Sequence, residues 1–202
     1  TFIPVVICLI ALIARLLPGQ RIIDDSFITY RYARNLLSGN GIAFNAGEAV
    51  LGTTTPLYTL IMAAFGSISG GVNANFPLLS TLFNAFADAV TCYLVILIGR
   101  SLKVTFAGYG AALVWAIAPY SVTFAIGGLE TSLYVLLLTT AIWAYLTHRN
   151  KILAISAALA ILTRPDAVLL LIPIALHWGL RLLQKKDRIN LPEILLFSLP
   201  VI

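Results

Sequence analysis

Charge is scarce in this sequence. Asp, Glu, Lys and Arg together make up 10% of its 202 residues, where soluble globular domains carry about 25%. So few charges cannot furnish a water-facing surface, which excludes an ordinary soluble domain. Cysteine is nearly absent as well. Cys8 and Cys92 both sit in apolar stretches, where a thiol behaves as a small hydrophobe, so neither a disulfide framework nor a metal site is indicated. The two histidines, His148 and His177, stand without partner ligands at metal spacing. No glycine-rich nucleotide-binding loop of either common type occurs. Basic residues outnumber acidic ones, 13 against 8. They gather at the ends of apolar runs and form no stripe with interleaved aromatics, so the net charge of +5 reports membrane sidedness and not nucleic-acid binding.

What is abundant is apolar sequence, at 60% of residues. Several runs approach the ~20 residues needed to cross a hydrocarbon core. Runs such as Leu133 to Leu146 are apolar on every side and lack the two-residue alternation of membrane β-barrel strands. The expected fold is therefore all-α, a polytopic transmembrane helical bundle. Crossings are expected near Phe2 to Leu17, Phe76 to Ile98, Val104 to Phe124, Leu129 to Leu146, Ile152 to Leu162, Val168 to Leu183, and from Ile194 onward. The first is stopped by Pro18-Gly19 and lacks a small-residue cleavage site, which makes it an anchor. The chain begins without methionine and stops inside an apolar run, so residues 1–202 are expected to be the N-terminal transmembrane module of a longer protein.

The segment Leu57 to Ile68 is only about 12 residues long and is better suited to an interface than to a crossing. Basic clusters at Arg100 and Lys103, at His148 to Lys151 and at Lys185 to Arg188 should all be cytoplasmic. If Leu57 to Ile68 does not cross, the arrangement its shortness favours, the polar stretch of about 18–75 is an external loop and Gly127 to Glu130 is external too; if it crosses, the Asp24-Asp25 loop falls inside and the N-terminus outside. Within that loop Ser26 to Leu37 reads as an interfacial helix, with Arg31, Arg34 and Asn35 on one third of its circumference and an apolar remainder facing lipid.

Several polar groups stand where an apolar environment is expected. Asp24 and Asp25 follow the first span directly; one could accept a proton or bind a cation while the other orients it, or the pair could simply cap the next helix. Ser80, Asn84 and Asp88 form an i, i+4, i+8 row, and a mid-membrane carboxylate such as Asp88 belongs in a wet cavity or an interhelical hydrogen bond. Thr163-Arg164-Pro165-Asp166 interrupts an apolar run, and Arg164 requires either Asp166 or an anion as partner. Glu130 follows a Gly127-Gly128 turn and suits the first turn of a helix.

The run DDSFITYRYARNLLSGNGIAFNAGEAVLGTTTPLYTL, beginning at Asp24, closely resembles the first extracytoplasmic loop of bacterial GT-C glycosyltransferases, in the group that includes mycobacterial terminal arabinofuranosyltransferases and dolichol-phosphate-mannose-like mannosyltransferases. GGLETSLYVLLL from Gly127 and LTRPDAVLLL from Leu162 resemble the same group, in the same order. The resemblance implies an inverting enzyme of the cell (inner or plasma) membrane, with its active site outside. It would move a sugar from a polyprenyl-phosphate carrier to a glycan, lipid or protein acceptor. An acidic residue of the loop, matching Asp24 or Asp25, would be the base; Asp24 is favoured by a small margin because Asp25 is better placed to cap a helix starting at Ser26. Arg164 would suit the leaving phosphate, Arg31 or Arg34 the lipid headgroup, and Glu130 and Asp88 complete the substrate-binding candidates. No cofactor is required by the pattern, and a divalent cation is compatible with it. The other readings are a non-catalytic GT-C-like subunit scaffolding a larger membrane complex with other subunits and, from Asp88 alone, a solute transporter.

Overall fold

The computed structural model describes residues 2–48 and 52–183. Among these it contains nine α-helices, two 3₁₀ turns and no strand. The helices are α1 (Ile3–Leu16), α2 (Asp24–Leu37), α3 (Pro56–Ile68), α4 (Phe76–Ser101), α5 (Thr105–Ile117), α6 (Pro119–Ile126), α7 (Thr131–Leu146), α8 (Asn150–Thr163) and α9 (Val168–Leu183). The described residues are all-helical, as expected of apolar runs without two-residue alternation.

Proline sets many of the boundaries. Pro56, Pro77 and Pro119 each stand in the first turn of a helix, where the missing N–H is no loss. Pro119 also corrects one expectation. The run Val104 to Phe124 is not a single helix but α5 and α6, bent by 49°. Ala118, the residue before the proline, is pushed to an extended ψ of 128° and cannot continue α5. The crossing expected near Ile194 and the basic cluster from Lys185 lie outside the described residues.

Among the described helices only α4 is by itself long and apolar enough to cross a membrane; α5 and α6 pass as a bent pair. A 14-residue helix such as α1 or α8 is about 21 Å long, short of a core of about 30 Å. Proline and glycine thus shorten elements that hydropathy alone would run together.

At the centre, α4 packs against α1, α5 and α7, while α8 packs on α7 and α3 on α2. On α1 the inward positions are Ile7, Ala11 and Arg15, and the outward ones, Val5, Val6, Leu9 and Ile13, are apolar and exposed. On α5 the exposed large side chains are Phe106, Leu113, Val114 and Ile117. The bundle is therefore apolar on its outside as well as in its core. At the far end Gly99 and Gly108 allow α4 and α5 to touch, since a Cβ on Gly99 would lie 2.7 Å from the Gly108 Cα.

The helix α2 departs from its expected setting. Tyr30 and Ala33 do not face lipid; they are buried with Tyr58, Met62 and Phe76 in a core shared with α3 and α4. The second apolar helix of the loop covers the first, which buries more of its surface than an interface would.

Candidate functional site

The polar row on α4 organises the end of the bundle where the chain's acidic residues gather, and each member holds a different neighbour. Ser80 Oγ lies 2.5 Å from the Tyr30 hydroxyl of α2. Asn84 Nδ2 donates to the carbonyls of Ala125, at 3.1 Å, and Leu129, at 2.9 Å, and so clamps the turn between α6 and α7. Ser26 Oγ and the Ile23 N–H both donate to the Gly127 carbonyl, at 2.6 and 3.0 Å. The Tyr58 hydroxyl lies 3.2 Å from the Gly128 carbonyl and 3.3 Å from Asn84 Oδ1. Burial pushes that phenol well above its ordinary pKa, so it remains a donor. Gly128 has a φ of +80°, and a Cβ there would collide with the Tyr30 hydroxyl. The Gly-Gly turn is a fixed platform, and Glu130 follows it immediately.

Beside this turn lies a cleft of about 450 Å³. Asp25, Glu130 and Arg164, from α2, the α6–α7 turn and the α8–α9 connection, all line it. Ile28, Phe124 and Leu129 give it an apolar wall, and Thr29, Thr53, Thr54, Thr55 and Thr131 a hydroxyl rim. Arg164 is partly exposed; its Nη1 is 3.6 Å from Glu130, its Nε donates to Asp166 at 3.2 Å, and its guanidinium lies 5.4 Å from the centre of the Tyr134 ring. Of the two partners the sequence left open, the resting structure supplies Asp166, and it adds Glu130. A cation held by two carboxylates at a half-open cleft can exchange one of them for a substrate anion.

The aspartates are separated. Both are exposed in the first turn of α2, but Asp25 lines the cleft and Asp24 does not. Neither caps the helix by a side-chain hydrogen bond: α2 begins at Asp24, with Ile23 at the N-cap position. The capping argument that favoured Asp24 over Asp25 therefore fails, because the helix starts two residues earlier than expected.

Asp88 is not brought to the cleft. It is fully buried, and Arg15 Nε donates to its Oδ2 at 2.5 Å, with further hydrogen bonds from Ser132 Oγ and Trp115 Nε1, each at 3.1 Å. The carboxylate is thus satisfied between helices, the structural alternative for this residue. Arg31 and Arg34 lie exposed on α2 and do not line the cleft either: Arg31 donates to the Phe44 carbonyl and Asn45 Oδ1, and Arg34 lies over the Phe76 ring. Among the described residues no group of three or more His, Cys, Asp or Glu could hold a metal ion. His148 occupies a turn at φ +56°, and the His177 ring bonds the Tyr145 hydroxyl. Both cysteines are free and donate weakly to carbonyls, Cys8 to Ala89 and Cys92 to Ala112.

Sequence reasoning missed Arg15 and the threonine rim. An arginine one residue before Leu16-Leu17, inside an apolar run, was a signal for a buried partner, and Asp88 was the acid available to it. The run Thr53-Thr54-Thr55 before Pro56 was a visible cluster of hydroxyls.

No family model matches the chain, and no solved structure matches it. Over 167 residues it is 28% identical to the terminal β-(1→2)-arabinofuranosyltransferase of Mycobacterium tuberculosis (strain ATCC 25618 / H37Rv), with 74% of this chain and 26% of that protein covered. The chain spans about a quarter of the length of the curated relative it matches, and this distant similarity supports a relation to the glycosyltransferases.

Proposed function

We propose that the chain is the membrane-embedded donor and base module of an inverting GT-C glycosyltransferase, which moves a sugar from a polyprenyl-phosphate carrier to an extracytoplasmic acceptor. The observation that carries this reading is the convergence of Asp25, Glu130 and Arg164, from three separate parts of the sequence, on one cleft. The apolar outer faces of α1 and α5 favour a lipid environment for the whole bundle. The cleft would open to the outside of the cell membrane. The α7–α8 turn with its basic cluster lies at the far end of α7, and 16 helical residues separate the two ends by about 24 Å.

In the proposed reaction the Asp25 carboxylate takes the proton of an acceptor hydroxyl as that oxygen attacks the anomeric carbon. The bond from that carbon to the phosphate oxygen breaks on the opposite side, so the configuration inverts. Negative charge grows on the departing lipid phosphate, and Arg164 stabilises it by turning from Glu130 toward the phosphate oxygens. Threonine hydroxyls at the rim hold sugar hydroxyls, and the apolar wall of Ile28, Phe124 and Leu129 keeps bulk water from the reacting carbon. Arg31 and Arg34, exposed on α2, would reach lipid headgroups with the guanidinium edges not taken up by Phe44, Asn45 and Phe76. The printed name of the relative makes an arabinofuranose unit the first sugar to test.

The test is transfer from a radiolabelled polyprenyl-phosphate sugar in proteoliposomes. Asp25→Asn should lower turnover by roughly 10²–10⁴ while donor binding persists, because the amide keeps the shape but not the base. Near wild-type turnover in Asp24→Asn, Asp25→Asn and the double variant would exclude this loop as the base, and no transfer by the wild-type protein in this assay would favour the non-catalytic scaffold.

A further inference from the structure

At the end of the bundle away from the cleft, α4 and α7 stop on the same motif. After α4 the Lys103 N–H donates to the Arg100 carbonyl at 3.0 Å and the Val104 N–H to the Gly99 carbonyl at 2.8 Å. After α7 the His148 N–H donates to the Tyr145 carbonyl at 3.2 Å and the Arg149 N–H to the Ala144 carbonyl at 2.8 Å. This pair of bonds requires a left-handed residue just past the helix, a place that glycine fills without strain. At the cleft end glycine does fill it: Gly39 closes α2 and Gly128 closes α6 with the same two bonds. At the far end the places belong to Lys103, at φ +60°, and His148, at φ +56°, the two non-glycine residues of positive φ among those described. Strain kept at two matching positions, both with basic side chains, points to a task for those side chains outside the fold.

The two stops lie at one level. Asn84 donates to the Leu129 carbonyl and Ser132 donates to Asp88, so α4 and α7 run side by side in the same direction. From Asp88 to Ser101 and from Ser132 to Leu146 each helix continues for about 20 Å. Arg100, Lys103, His148, Arg149 and Lys151 are all exposed there. Arg149 lies over the Trp143 ring, 4.7 Å from its centre, and Arg100 Nη2 is 3.5 Å from the Tyr109 hydroxyl. Among the described residues no carboxylate pairs with any of these basic side chains. Beside them Leu102, Val104 and Phe106 are apolar and exposed, Phe106 at 89%. A free phosphate would answer the charge and leave that apolar surface in water. A phospholipid answers both, with its phosphate at the cations and its acyl chains along the outer face of α5.

We infer that the paired stops at Lys103 and His148, together with Arg100, Arg149 and Lys151, form a binding surface for the phosphate headgroups of anionic phospholipids in the leaflet opposite the cleft. The inference goes beyond the transferase reading: it uses the proposed membrane setting and none of the proposed chemistry.

The experiment places the protein in nanodiscs of neutral phosphatidylcholine, with and without phosphatidylglycerol, and counts the lipids retained on release by native mass spectrometry. The wild type should retain phosphatidylglycerol over phosphatidylcholine by about tenfold or more, and Lys103→Gly should lower that preference by about fivefold, the effect of one basic side chain at an anionic surface. Lys103→Gly combined with His148→Gly should lower it further, yet unfold at a higher temperature than the wild type in phosphatidylcholine, because glycine relieves both left-handed positions. A purely structural role for the two side chains would not separate lipid preference from stability in this way. Equal retention of the two lipids by the wild type, or an unchanged preference in the double variant, overturns the surface. A lower unfolding temperature in the double variant overturns it also, since no strain was then held for a partner. Displacement of phosphatidylglycerol by inorganic phosphate at equal concentration would make this a free-anion site and overturn the lipid assignment. Failure of the wild type to enter phosphatidylcholine nanodiscs would overturn the membrane setting and this inference with it, whereas entry without lipid preference overturns the inference alone.

Discussion

Arg15 of α1 and Asp88 of α4 form a fully buried ion pair, 73 residues apart in sequence, with Arg15 Nε 2.5 Å from Asp88 Oδ2. Every donor of the guanidinium is used: Nη1 bonds the carbonyls of Ala11 and Ala116, and Nη2 bonds the Trp115 carbonyl and Ser121 Oγ. Because Trp115 and Ser132 donate to the carboxylate, the pair ties five helices, α1 and α4 to α7, at one point. Charges enclosed in this way are tolerable only because both are completely hydrogen-bonded.

Removing one partner should therefore be costly. Arg15→Leu or Asp88→Leu alone is expected to destabilise the bundle by about 3–5 kcal/mol, and Arg15→Leu with Asp88→Leu by much less, since no unpaired charge then remains. Thermal unfolding in detergent, followed for the two single variants and the double variant, measures the difference. A double variant destabilised by the sum of the two singles would show that the pair is not coupled.

Gly128→Ala should be among the most damaging single-methyl changes in the chain. It combines a positive φ of +80° with a Cβ directed at the Tyr30 hydroxyl. The expected loss is about 2–4 kcal/mol. Relief by Tyr30→Phe, which removes the obstructing oxygen, should be partial, because the backbone strain stays. Unfolding midpoints of the two variants and their combination test this.

Arg164→Lys and Arg164→Ala should separate charge from geometry. If Arg164 receives the lipid phosphate, lysine keeps a point charge but loses the two-pronged hydrogen bond, and transfer should fall by about tenfold; alanine should cost about 100-fold or more. Phosphate-free sugar should bind both variants as it binds the wild type. Equal transfer in all three proteins would release Arg164 from this role and leave it to Glu130 and Asp166.

The topology has a direct test. In a background without Cys8 and Cys92, cysteines placed at Asp25, Gly71 and Glu130 should react with an impermeant thiol reagent from outside the cell, and one at Lys103 or Lys151 should not. Labelling of Lys103→Cys from outside would overturn the arrangement.

Composition and periodicity were enough to establish the helical class and the approximate position of the helices. Long apolar runs without two-residue alternation point to helices, and α9 runs from Val168 to Leu183 as hydropathy placed it. The three turns that carry Asp25, Glu130 and Arg164 were legible as the polar interruptions of an apolar chain. Only the tertiary structure decided what those residues do together. It turned Asp25 into the cleft and left Asp24 outside, a choice between neighbouring residues that depends on how α2, which begins two residues earlier than expected, packs on the bundle. It took Asp88 away from the cleft and paired it with Arg15, a contact between helices far apart in sequence that no local pattern encodes. Proline chemistry split the run from Val104 to Phe124 where mean hydropathy saw one span. The general cause is the same throughout: burial and period are local properties of a sequence, whereas the partner of a buried charge is chosen by how the helices pack.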